Sequence, residues 1–107
     1  MKEKITVIVK EPHKEPELKT IRNDLSTMQE LVGGYIEPVG LPGGGILVCD
    51  EEGLIKDTPF NCKVEGHMIF GTFFVCGLDP DDPENFGDVP IEWVHTFADQ
   101  TGAVVRP

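Results

Sequence analysis

The chain has a single serine, Ser26, three histidines, and three cysteines with no CxxC pair among them. Each shortage removes a class of function. Nucleophilic catalysis needs Ser, Cys or Thr beside a base and an orienting group. No GxSxG elbow or catalytic-cysteine context surrounds Ser26, His13, His67 or His95. An odd set of cysteines (Cys49, Cys62, Cys76) argues against a disulfide framework and for a reducing compartment. No stretch approaches the ~18 consecutive apolar residues of a membrane span. Met1-Lys2-Glu3-Lys4-Ile5 enters an alternating pattern directly, without a signal peptide's apolar region. These absences predict a soluble cytoplasmic protein that is not an enzyme and has no membrane contact.

Cations are scarce as well. Nine Lys and Arg face 19 Asp and Glu, for a net charge of −10. Residues 1–30 balance six basic against six acidic residues, while the remainder holds thirteen acids against Lys56, Lys63 and Arg106. Between Asp79 and Asp99 lie seven acids and no Lys or Arg. Such a surface has no cations with which to displace counterions from phosphates, so direct nucleic-acid binding is disfavoured. A basic protein partner, a metal or plain solubility remain as readings, and solubility is the commonest reason for such acidity.

What is present suits one domain spanning residues 1–107, near the commonest domain size. Lys4 to Lys10 is β-branched and partly alternating, a first strand, and Leu18 to Arg22 can return antiparallel to it across a proline-bearing turn. Asn23 or Asp24 can cap a short helix whose Leu25, Met28, Leu31 and Val32 share one face, ended by Gly33-Gly34. Tyr35 to Val39 and Gly45 to Cys49 flank a glycine-rich hairpin turn. Met68 to Cys76 is the most apolar run and reads as one central strand, with Gly71 marking a bulge or close approach. Asp79 to Asp88 reads as an exposed acidic loop, followed by a C-terminal helix carrying Val89, Trp93 and Phe97 with Asp88 as its cap, although Ile91, Trp93, His95 and Phe97 also alternate as a strand would. The fold class expected is α+β: a mixed, mainly antiparallel sheet packed on one short helix in a β-grasp-like order, with a C-terminal helix.

The candidate sites are few, and each has a plainer reading. Cys49, Cys62, His67 and Cys76 could hold zinc by chemistry, but structural zinc sites draw ligands in close pairs, and none exists here. Cys49 and Cys76 end apolar strands, where a free cysteine behaves as a small hydrophobe. The acids at 79–88 could gather calcium, but the EF-hand pattern is absent and prolines interrupt the run at 80 and 83. Gly43-Gly44-Gly45 lacks the GK[ST] of a phosphate loop. Glu51 and Glu52 are adjacent in a turn, so their carboxylates diverge. No cofactor and no resident metal are expected. Trp93, Phe97, Phe86 and Tyr35 could form an aromatic contact patch. Core packing is the commoner fate, and Phe86, isolated among acids, is the best exposed anchor.

Met28-Gln29-Glu30-Leu31-Val32-Gly33-Gly34-Tyr35-Ile36-Glu37, then Asp50-Glu51-Glu52-Gly53, Pro59-Phe60-Asn61 and Phe70-Gly71-Thr72, stand in an order more distinctive than their composition. This series resembles the domain of unknown function family DUF3846, small proteins of bacteria, phages and mobile elements. In that family the turn begins with asparagine, where this chain has Asp50. The resemblance covers residues 4–77, leaving 78–107 as an acidic loop plus a C-terminal element without a motif counterpart. It implies an origin near phages or mobile elements and no particular activity.

If the family shares a ligand site, Glu51, Asn61 and Thr72 are its expected residues, since a polar loop residue beside a glycine-bearing strand can line a groove. The functional expectation is a non-enzymatic accessory or modulator that binds a basic host protein through Asp79, Asp81, Asp82, Glu84 and Phe86. The alternative is a small-ligand domain for a nucleotide or metabolite.

Overall fold

Period-two alternation sets which way each strand faces. The computed structural model describes residues 3–101. In β1 (Lys4–Lys10), Ile5, Val7 and Val9 enter one buried cluster, while Ile8 enters a second on the opposite face. β2 (Glu17–Arg22) pairs antiparallel with β1 in the register Thr6↔Thr20.

The helix α1 (Leu25–Val32) starts where expected. Asp24 accepts a hydrogen bond from the Thr27 amide at 2.7 Å, and the bonds from Thr27 hold its carboxyl below the usual value. Gly33 ends the helix at φ +88°, the left-handed conformation of a C-terminal cap. Met28 and Val32 are the face it buries.

β3 (Ile36–Gly40) and β4 (Ile46–Asp50) form the expected hairpin. Next come a two-stranded sheet of β5 (Phe60–Val64) and β6 (His67–Phe70), then β7 (Phe73–Asp79), β8 (Asp82–Gly87) and α2 (Ile91–Thr101). The main sheet runs β2-β1-β7-β4-β3, with β8 pairing β7, and every pairing is antiparallel. β7, whose Phe73, Phe74, Val75 and Cys76 are fully buried, is its centre. α1 covers one face through the cluster of Val7, Val48 and Phe74. The other face is covered by Val64 and Ile69 of the β5–β6 hairpin and by Trp93 and Phe97 of α2.

Three expectations need correction. The apolar run at 68–76 is two strands in different sheets, because Gly71 at φ +81° breaks it and its amide turns to donate to Pro59 O at 2.8 Å. The acidic segment expected as a loop is largely strand β8, in register Leu78↔Phe86 and Gly77↔Gly87. Its composition misleads because an antiparallel ribbon can turn polar side chains to water at little cost. α2 begins at Ile91, so Asp88 lies two residues ahead of the cap position. Its carboxylate accepts from the Thr6 amide at 2.9 Å, and Val89 donates to Thr6 O, so this segment completes the hydrogen bonding of β1.

Candidate functional site

Asn61 sits where β1, β5 and the bend before β7 meet. Its Nδ2 donates to Lys10 O and to Gly71 O, each at 2.8 Å, and its Oδ1 accepts from Lys10 Nζ at 2.9 Å. Lys10 is only 7% exposed, and its ammonium also donates to Glu11 O. A planar amide with two donors and an acceptor suits this junction. The side chain is occupied in clipping the hairpin to the sheet rather than offered to a ligand. Thr72 follows this clip and is half-buried. Glu51 lies elsewhere, exposed in the turn after β4, with its amide donating to Tyr35 O at 2.9 Å. The three residues expected together are therefore divided: Glu51 borders a groove of about 400 Å³, and neither Asn61 nor Thr72 lines it.

That groove is built from segments far apart in sequence. It is lined by Glu37 and Val39 of β3, Cys49 of β4, His67 and Ile69 of β6, and Leu54 of the turn between. Glu37 and Cys49 are cross-strand partners, and the Cys49 thiol donates to Glu37 O at 3.7 Å. Burial, with Glu37 and Asp50 nearby, pushes this thiol up to about 11, so it is neutral at ordinary pH and a poor nucleophile.

Among the described residues no Lys or Arg lines the groove, whereas Glu37, Asp50 and Glu51 do. The Asp50 carboxylate is already spoken for, with its side chain 2% exposed, Lys56 Nζ at 3.0 Å and the Glu52 amide donating at 2.9 Å. Glu37 and Glu51 supply the exposed negative charge. Of its lining, Leu54 and Met68 are 72% and 62% exposed, and Ile55, next to Leu54 in the chain, is 82% exposed. Sequence reading passed over these apolar residues, although Leu54-Ile55 inside a polar turn is a legible anomaly.

The acidic segment is less open than its composition implies. Asp79 is 4% exposed and accepts from the Asp81 amide at 2.9 Å. Asp82 accepts from Asn85 Nδ2 at 2.6 Å, while Asp81 and Glu84 are exposed. Phe86, expected as an exposed anchor, is half-buried against the α1-side cluster. Trp93 and Phe97 are core, and Trp93 Nε1 donates to Pro42 O at 2.7 Å. The triple glycine has its reason there: a Cβ on Gly45 would lie 2.6 Å from the indole nitrogen. Of the aromatic patch only Tyr35 is well exposed. The thiols do not converge either, since Cys49 and Cys62 face the α2 side and Cys76 faces α1.

A family model described as a domain of unknown function, DUF3846, matches residues 5–102. The match continues past residue 77 through β8 and α2, beyond the motifs that carry the resemblance. No curated protein and no solved structure matches the chain. Among the described residues, no helix is long and apolar enough to cross a membrane.

Proposed function

The chain belongs to the DUF3846 family, and within that family we propose that it is a non-enzymatic accessory protein, of the kind carried by phages and mobile elements, that binds a basic host protein. The observation that carries this reading is one-sided charge on an ordered element. From Asp79 to Phe97 there is no Lys or Arg, and the β7–β8 ribbon presents Glu84 on its strand β8 and Asp81 in its tight turn to solvent. Fixed charges on a rigid ribbon steer a basic partner and set its register better than the same charges on a floppy loop. The thiols support a binding role over covalent chemistry, because burial holds Cys76 up to about 12 as well as Cys49 up to about 11.

The test is native mass spectrometry of the tagged chain purified from nuclease-treated bacterial extract. A discrete complex with a basic protein is expected, lost when Asp81, Asp82 and Glu84 are changed together to lysine. A complex indifferent to that reversal would overturn the role of the ribbon. A small mass addition in place of a protein would favour the nucleotide-or-metabolite reading instead.

A further inference from the structure

The groove between the β3–β4 hairpin and β6 combines features that one kind of ligand would satisfy. Its interior is apolar at Val39 and Ile69, its lining includes the exposed Leu54 and Met68, and Ile55, next to Leu54 in the chain, is exposed as well. Exposed aliphatic side chains grouped around a concavity are a mark of an interaction site, unlike single apolar residues scattered over a surface. Its volume of about 400 Å³ lies within the range of formed binding pockets. The charge beside the apolar part has one sign, from Glu37 and Glu51, with no Lys or Arg in the lining among the described residues.

We propose that this groove docks an extended segment of a partner protein that alternates aliphatic and Lys or Arg side chains, the aliphatic group entering over Val39 and Ile69 and the cation meeting Glu37 and Glu51. Recognition is through side chains rather than strand addition. β3 is the edge of the main sheet, and Pro38 at its middle has no N–H with which to continue a ladder. A polar segment gains nothing from the apolar interior, and an acidic one is repelled by the rim, so the composition of the groove selects against both. The site rests on the reading of this chain as a protein-binding module, but not on the β7–β8 ribbon.

The experiment is a titration of the isotope-labelled chain, followed by amide chemical shifts, with three short capped peptides. These alternate leucine with lysine, leucine with glutamate, and serine with lysine. Only the leucine–lysine peptide is expected to shift the amides of Glu37, Val39, Leu54, Met68 and Ile69. Its affinity should fall about tenfold in the double variant Glu37→Lys, Glu51→Lys, the loss of roughly one charge-assisted contact. The variant Asp81→Lys, Glu84→Lys should bind it like the parent. Equal shifts with the serine–lysine peptide, centred on the ribbon, would reduce the effect to charge alone and overturn the groove. So would the absence of shifts at millimolar peptide. If a host complex is captured that survives Glu37→Lys, Glu51→Lys and dissolves on reversal of the ribbon, this site falls while the broader binding role stands.

Discussion

Gly33 takes φ +88° to end α1, a value that a Cβ resists, whereas its neighbour Gly34 is required for room. A Cβ on Gly34 would lie 2.5 Å from Lys56 Nζ and 2.6 Å from Asp50 Oδ1, the ion pair that ties the turn after β4 to the helix end. Gly53 is similar, since a Cβ there would lie 2.8 Å from Phe70 O. Of the residues that carry the family resemblance, Glu37, Asp50, Glu51, Gly53 and Phe70 line the groove, while Gly34 and Asn61 lie outside its lining and hold neighbouring segments in place. Asn61 is the extreme case. Replacing it with alanine removes three hydrogen bonds and leaves two backbone carbonyls and a buried ammonium short of a partner. At about 1 kcal/mol for each bond, Asn61→Ala is expected to lower unfolding free energy by about 3 kcal/mol in urea denaturation. An unchanged denaturation midpoint would contradict the clip and return Asn61 to the list of ligand residues. The helix stop at Gly33 was legible because a cap is a local event. The role of Gly34 was not, because it depends on a lysine whose position only the fold determines.

At the scale of elements, β1, β2, α1 and the β3–β4 hairpin could be read from periodicity and turn chemistry, since each closes within a few residues. The break at Gly71 and the pairing of β8 could not. A run such as Met68 to Cys76 is equally apolar whether it lies in one sheet or two, and the positive φ of Gly71 with its bond to Pro59 O separates the two strands. β4 and β7, the strands that do meet at the centre, bring Cys49 and Cys76 to opposite faces of one sheet. Burial raises both thiols, to about 11 and about 12, and raises Cys62 as well. An acid whose folded value lies above its unfolded one keeps its proton in the native state while the unfolded chain loses it. Stability from these groups is therefore complete below the unfolded value near 9 and is lost as pH rises from there toward the folded values. The urea midpoint should fall between pH 9 and 10. The fall should be shallower in Cys49→Ala, Cys76→Ala. Equal slopes in the two proteins would mean that the thiols are not the titrating groups.

For the molecule as a whole, the candidate groove was the least legible feature, because Glu37, Leu54 and Ile69 come from three segments that nothing local brings together. Net charge, by contrast, needs only a count. With −10 charges on a body whose radius of gyration is 12.6 Å, the balance between attraction and repulsion depends on the range of the field. At ~0.01 M salt the Debye length is about 30 Å, so every acid repels every other across the molecule. At ~0.15 M it shrinks to about 8 Å, leaving close neighbours such as Lys56 with Asp50. Compaction concentrates the excess acids, so repulsion weighs more on the folded state than on the expanded chain. Of the ion pairs between described side chains, Lys14 with Glu11 and Arg22 with Asp24 are well exposed, and such pairs contribute little that salt can remove. Added salt should therefore raise the thermal midpoint, by several degrees between ~0.01 M and ~0.3 M sodium chloride if screening relieves about 1 kcal/mol. The same salt should weaken capture of a basic partner. A midpoint that falls with salt would show that attractive pairs dominate and that the acidity is balanced within the fold. Rising stability together with falling partner affinity is the combination expected of a surface whose excess charge serves a partner rather than the fold.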